Sequence, residues 1–348
     1  MLELVSVSWN RYQYKVNMPT ISDVAKLADV SKTTVSRVLN NSELVNYKTK
    51  QKVLEVIKEL SYTPSIIAQG MRGQKTRTFG VVIPDFKNLY YSEFLEHVEE
   101  AARKHGYIAI VCSSEIDSER ERENIDQLLR RNIDGLVVCW YKDVIANKSF
   151  LVKLAKKLPV VLMDQPSCGL PVSAVYTDGY KGIKTLTKYF LEKGHREIGI
   201  IKSIDKFPVG NKRFEGYVSA LEEHGIRVTE DLIENADWTV SGAFDATEKL
   251  LMKSSPTAII AVTDLMAIGV LKCLHDKGFS IPKEIAIGGF DNISLSSMMS
   301  PPLTTVAQPI RMLAQKATEQ LIKRIENRYV RNRDIELQNE LIIRDSTE

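Results

Sequence analysis

Cysteine is scarce in this chain and poorly spaced for chemistry. Among 348 residues there are four, Cys112, Cys139, Cys168 and Cys273, and no two stand at metal-ligand spacing. That excludes a disulfide framework or zinc motif and fits buried thiols in a reduced, cytoplasmic setting. Long apolar runs are missing too: none approaches the ~20 residues a membrane span needs, so no membrane partner is expected. The first 17 residues, "MLELVSVSWNRYQYKVN", lack an apolar core followed by a small-residue cleavage site, so they do not read as a signal peptide. Met18 opens a cleaner start, and residues 1–17 are expected to form a disordered extension. There is no glycine-rich phosphate loop after a strand and no G-x-S-x-G, and the five histidines are scattered. Neither a catalytic set nor a cofactor is expected.

An excess of one charge is also absent from the whole, since 47 Lys/Arg against 44 Asp/Glu leaves +3. The distribution is uneven. Residues 18–78 hold 10 basic against 5 acidic side chains, while residues 79–348 hold 35 against 38. The positive excess surrounds "SKTTVSRVLN", residues 31–40, where Val35, Val38 and Leu39 make an apolar stripe at i, i+3 and i+4. Its other face carries Lys32, Thr33, Thr34, Ser36 and Arg37, with no acid. Thr and Ser are weak helix formers, so this donor-rich surface suits phosphates and base edges better than it suits helix stability. Three short helices are expected before residue 61, with Thr20, Ser31 and Asn46 as N-caps and Asp23 in capping-box position behind Thr20. Their stripes, Val24/Leu27/Ala28, Val35/Val38/Leu39 and Val53/Val56/Ile57/Leu60, can close one core. Only "DVS" separates the first two helices, the tight connection of a helix-turn-helix.

"TISDVAKLADVSKTTVSRVLNN" followed by "LSYTPSIIAQGMRGQKTRTFGVVIPD" resembles the amino-terminal domain and hinge of the LacI/GalR family of bacterial transcription regulators, and the likeness runs to the end of the chain. The resemblance implies base-edge contacts from Lys32, Thr33 and Arg37 and phosphate contacts from Thr20, Ser31, Thr34, Ser36, Asn40 and Asn46. It also implies a hinge helix in "PSIIAQGMR", with Ala68 and Met71 at the DNA and Met71 as the minor-groove wedge. Ser65 stands where the family usually has asparagine, and Gly70 costs such a helix about 1 kcal/mol relative to alanine.

From Phe79 onward short apolar runs, "FGVVIPD", "YIAIVCS", "DGLVVCW" and "PVVLMDQ", alternate with amphipathic stretches, and a second set follows from "KGIKTL" to "EIAIGGFD". This pattern predicts two doubly wound parallel-sheet subdomains with a cleft between them. Gly106, Gly194, Gly225 and Gly278 sit at expected helix ends. The resemblance implies a periplasmic-binding-protein-like fold crossed three times by the chain. The expected organisation is an extension at 1–17, a helix-turn-helix head at 18–63 and a hinge at 64–78. The body follows at 79–348, its N-subdomain about 79–177 plus 309–335 and its C-subdomain about 178–308 plus 336–348.

Ligands in open α/β sheets bind beyond the carboxyl ends of strands. This singles out Asp85, with Phe86 and Asn88 in the same stretch, and Asp164, Thr263 and Asp291. Arg213, expected in a loop "PVGNKRFEG", and Trp238 complete the set; Arg213, Trp238 and Asp291 match effector residues of the family. Thr263 departs from the asparagine of many members. Carboxylates, a guanidinium and an indole suit a sugar. Lys212 beside Arg213 would add a second cation and favour a sugar acid. The expected function is a repressor of a carbohydrate-catabolism operon that binds double-stranded operator DNA as a homodimer and answers to a small sugar or sugar acid. The homodimer rests on two heads covering a palindromic site and on "ELIIRDSTE" ending the chain without a leucine heptad to join dimers into a tetramer. A solute-binding protein and a sugar-modifying enzyme are the alternatives.

Overall fold

A computed structural model describes residues 19–39, 44–62, 75–140, 142–204 and 207–348. The chain divides into two compact units, residues 1–76 and 77–348. The expected extension at 1–17 lies outside the described residues, as do Asn40, Ala68 and Met71.

In the first unit α1 (Ile21–Leu27), α2 (Lys32–Leu39) and α3 (Tyr47–Glu59) enclose one core of Val24, Ala25, Ala28, Val35, Val38, Val53 and Val56. Each helix starts at a side chain able to hold its free N-terminal groups. The Asp23 carboxylate accepts the Thr20 N–H at 2.8 Å and the Thr20 hydroxyl at 2.7 Å. The Thr34 N–H donates to Ser31 Oγ at 3.0 Å, and the Thr49 N–H to Asn46 Oδ1 at 2.9 Å. One expected core residue points elsewhere: Leu27 is 50% exposed and Ala25 takes its place. Past α1 the chain turns at Asp29, φ 51°, and the Val30 N–H closes the helix end on the Ala25 carbonyl at 2.9 Å, while Val24, Ala25 and Ala28 share the face turned to the other helices. Leu27 lies about 200° round the helix from Ala25 and falls outside that arc.

The second unit has two lobes. Its first sheet contains β1 (Thr78–Ile83), β2 (Ile108–Ser113), β3 (Gly135–Cys139), β4 (Val160–Met163), β5 (Ser173–Thr177) and β11 (Asp334–Leu337), in the order β11-β5-β4-β3-β1-β2 with every pair parallel. Side chains alternate across it. Phe79, Val81, Val137, Val161 and Met163 pack with α4 (Leu89–Lys104) and α11 (Ile310–Glu326). Val82, Leu136, Val138 and Leu162 pack with α5 (Ser118–Arg130) and α6 (Lys148–Lys157). Coverage on both faces is why these strands read as unbroken apolar runs.

The second sheet has the order β12-β10-β9-β8-β6-β7, from β6 (Ile198–Ser203), β7 (Ile233–Ala236), β8 (Ala258–Ala261), β9 (Ala286–Asp291), β10 (Thr304–Ala307) and β12 (Glu340–Ile342). Only β12 runs antiparallel. Four helices accompany it: α7 (Gly179–Glu192), α8 (Pro208–Glu223), α9 (Val240–Lys253) and α10 (Asp264–Asp276). Gly106, Gly194, Gly225 and Gly278 follow helices with φ between 69° and 96°, the left-handed geometry that lets the chain turn back at once. The chain passes between the lobes at Asp178, at Gln308–Pro309 and at Gln338–Asn339. The expected change at 335/336 falls inside β11, where Glu336 and Leu337 still pair with Tyr176 and Thr177.

Candidate functional site

The carboxyl ends of β1, β4, β8 and β9 face a cavity between the lobes. Its inner chamber, of about 60 Å³, is lined by Asn88, Asp164, Arg213, Trp238, Thr263 and Asp291 among others. The structure brings these six expected residues together. It does not bring Asp85 or Phe86 to that wall: Asp85 Oδ1 closes a local turn by accepting the Lys87 N–H at 3.0 Å, and Phe86 is 53% exposed. The short loop after β1 turns both away before α4 begins.

Arg213 is the centre of the charged network. It lies on α8 rather than in a loop, because Pro208 at the first position opens a helix that runs through "VGNKR". Its Nη1 donates to the Val262 carbonyl at 2.6 Å, its Cζ sits 3.8 Å over the Phe290 ring, and Nη2 is 3.6 Å from Asp291 Oδ1. Its buried Nε has no hydrogen-bond partner. Asp291 Oδ1 also accepts the Gln308 amide at 2.8 Å, while Gln308 Oε1 accepts the Thr177 hydroxyl at 2.6 Å. Gln308 thereby ties the Asp291 carboxylate to two of the three lobe crossings. Behind Asp291, buried Asp264 accepts the Ile293 N–H at 3.1 Å and the hydroxyls of Ser296 at 2.5 Å and Thr305 at 2.6 Å.

Lys212, expected to double the positive charge, instead pairs with Glu215 at 2.5 Å with its side chain 65% exposed. One helical turn separates the two partners, and solvation favours that exposed pairing. The sequence argument for a sugar acid therefore loses its second cation.

Asn88 and Thr263 serve as N-caps, accepting the N–H groups of Tyr90 at 3.0 Å and Met266 at 3.2 Å. Capping uses the Thr263 oxygen as acceptor and leaves its O–H free to donate to a ligand. Trp238 packs edge-on to Phe207 with ring centroids 6.1 Å apart. Ile116, Asp164, Trp238 and Asp291 have φ of 59°, 71°, 68° and 122°, so four non-glycine residues hold left-handed backbone around one cavity. Such conformations persist where surrounding structure enforces them, and they concentrate at binding sites. Tyr90, Tyr91, Phe207 and Gln308 also line the chamber and were not singled out from sequence. Position supplied the available signal: the tyrosines occupy the first turn after β1, and Phe207 the helix start after β6.

Withdrawal from water raises the Asp164 carboxyl to about 6 from an ordinary 3.8, against the opposing pull of Arg213. Asp291 is raised as well, first by burial, with Arg213 opposing and Asp264 adding repulsion. For a carboxylate raised in this way the folded state holds protons that the unfolded chain has released, so its stability contribution falls as pH rises from about 4 to about 6. The loss from Asp164 is up to about 3 kcal/mol. Asp164→Asn, whose side chain tolerates positive φ, should equal wild type near pH 4 and exceed it in stability at pH 7. Urea unfolding of both proteins across that range measures the difference; parallel curves would remove the shift.

On the head, Lys32, Thr33 and Arg37 are exposed along α2 while Val35 and Val38 are buried. Thr34 and Ser36 are half-buried, Thr20 is exposed, and the Thr34 hydroxyl lies 2.9 Å from that of Ser31. Ser31, Thr20 and Asn46 are thus engaged at helix starts, a role compatible with receiving a phosphate at the same N-terminal turn.

A helix-turn-helix head and a two-lobed α/β body with a polar cleft, carried on one chain, define a DNA-binding regulator built to respond to a small molecule. Residues 20–65 match the model for bacterial regulatory proteins of the lacI family, and residues 187–347 that for a periplasmic binding protein-like domain. The HTH-type transcriptional repressor PurR of Histophilus somni (strain 129Pt) is 32% identical over 330 residues, 94% of this chain and 99% of its own. The HTH-type transcriptional regulator DegA of Bacillus subtilis is 34% identical over 94% and 98% of the two chains. Among solved structures, the lac repressor bound to ONPG in its repressed state has a TM-score of 0.83 at 25% identity, covering 94% and 99%. The transcriptional regulator CelR in complex with cellobiose has a TM-score of 0.70 at 26% identity over the same shares. The chain belongs to the LacI family of bacterial regulatory proteins and is a DNA-binding transcription regulator. Among the described residues no helix is long and apolar enough to cross a membrane.

Proposed function

We propose that this protein is a cytoplasmic repressor of a carbohydrate-catabolism operon, acting as a homodimer on a palindromic operator and controlled by a small sugar in the interlobe cleft. The head, 18–63, reads the operator; the hinge, 64–78, passes on the lobe arrangement set by the body. The observation that carries the effector reading is the polar set at one chamber: Asp164 from one lobe, Arg213 and Asp291 from the other, beside the Trp238 indole. Carboxylates accept hydroxyl hydrogens, a guanidinium donates to ring oxygens, and an indole covers the apolar face of a pyranose. Two carboxylates against one committed guanidinium favour a neutral sugar over a sugar acid. The second reading is a planar heteroaromatic such as a purine base, favoured by Tyr90, Tyr91, Phe207 and Trp238 around the same chamber.

The test is an operator-binding titration of the full chain against neutral sugars, uronates and purine bases. A shift with a neutral sugar at least tenfold larger than with its uronate is expected. A response confined to purines, or to uronates, overturns the neutral-sugar assignment.

A further inference from the structure

The body is acidic as a whole, with 35 basic against 38 acidic side chains in residues 79–348, yet one side of its first lobe carries the opposite charge. Residues 144–163, which include α6, contain no Asp or Glu, and neither does the turn 327–333 between α11 and β11. Tertiary structure joins these two segments. Arg328 Nη2 donates to the Lys157 carbonyl at 3.3 Å, and the Arg333 carbonyl accepts the Ala174 N–H at 3.0 Å, which fixes the end of the turn beside β5. Lys153, Lys156 and Lys157 are exposed within about 100° of arc on α6 while Leu151 and Leu154 are buried. Arg328, Arg331 and Arg333 are exposed on the turn. Among the described residues, none of these six side chains forms an ion pair with an acid. Asp334, next along the chain, is occupied by the Ser167 N–H at 2.9 Å.

Arg324 belongs to the same group. Its Nη1 bonds Asn332 Oδ1, its buried Nε has no hydrogen-bond partner, and burial, with the charge on Arg328 adding to it, lowers the guanidinium from its ordinary value. Lysines in the last turn of a helix complement its dipole, which accounts for Lys156 and Lys157. It does not account for Lys153, nor for three arginines without acidic partners on the adjoining turn, where like charges repel unless an anion lies over them. Tyr329, between Arg328 and Arg331, is 96% exposed and adds a neutral hydroxyl donor.

We propose that this side of the first lobe is a second DNA contact, which holds phosphates of duplex outside the operator that the head reads. Lysine, arginine and tyrosine hydroxyl groups bind phosphodiester oxygens without regard to base sequence, and two acid-free segments side by side offer a polyanion nothing to repel it. The inference draws on the DNA-binding class of the chain and on the charge of this surface, and holds whether or not the effector is a sugar.

The experiment uses the full chain and an operator selected from random duplexes. One variant carries Lys156→Gln, Lys157→Gln and Arg331→Gln, at exposed side chains, and thermal melting should match wild type. A control variant, Arg227→Gln, Lys249→Gln and Lys283→Gln, removes the same charge from exposed positions of the second lobe. Affinity is measured across salt concentrations on a duplex holding the operator alone and on the same operator within a plasmid-length duplex. On the long duplex the first variant should bind at least tenfold more weakly at low salt. Its plot of log affinity against log salt should be less steep by about two to three per protomer, since each phosphate contact contributes about 0.9. On the short operator it should stay within twofold of wild type, and the control should match wild type on both. An unchanged slope on the long duplex overturns the contact, as does an equal change in the control, which would reduce the effect to net charge. Equal weakening on the short operator, or weakening only toward single-stranded RNA, overturns it too.

Discussion

Arg213→Ala and Asp291→Ala are each expected to bind operator with wild-type affinity and to lose the response to effector, with the ligand concentration for half-release rising at least a hundredfold. Both side chains are buried in the interlobe cleft within 3.6 Å of each other. Hydrogen bonds to charged groups contribute about 1.5–3 kcal/mol each, and removing one partner leaves the other buried charge without compensation. An effector shifts the lobe arrangement only by binding its two states unequally, so losing the groups that grip the ligand removes that difference without touching the head. Operator titration with and without ligand, alongside thermal melting to confirm folding, checks the result. A variant that still responds at wild-type ligand concentrations takes its residue out of the site.

The second large effect concerns reading of the operator. Arg37 is exposed on α2, opposite the buried Val35 and Val38. A guanidinium in that position can bind the O6 and N7 acceptors of a guanine in bidentate fashion. Arg37→Ala should therefore cost about 1–3 kcal/mol, roughly fivefold to 150-fold, at the operator and relax discrimination at one base pair. Thr34→Ala should instead weaken binding across all sequences alike, since the Thr34 hydroxyl shares the helix start with Ser31 at 2.9 Å. A library of operators with every single-base change, bound by both variants, separates the two patterns. Uniform weakening by Arg37→Ala would reassign that residue from base to phosphate.

Caps and periodicity act over about one helical turn, and wherever such short-range rules decide, the amino-acid sequence was legible. Ser31 and Asn46 bond the N–H groups of residues three ahead, and the alternation of apolar runs with amphipathic stretches corresponds to the two sheets and their helices. Asp164, Thr263 and Asp291 could be placed at the cleft from sequence because a residue at or just beyond the carboxyl end of a buried strand has few places to go except the cleft rim. The failures sit where a distant element decides. Leu27 is apolar and in phase with Val24, yet the arc of α1 that meets the other two helices is centred on Val24, Ala25 and Ala28 and leaves Leu27 outside. Pro208 was a local signal for the helix that carries Arg213, but only Val262 and Phe290, far along the chain, decide where its guanidinium rests. Nothing around Gln308 announces that its amide joins Thr177 to Asp291, which lie 131 and 17 residues away. Local rules therefore set which segments become helices, strands and caps, whereas packing of the two lobes chose which polar side chains share the cleft. The physical reason is that a buried charge must find its partner wherever the fold supplies one, and that partner is set by topology and not by neighbours in sequence.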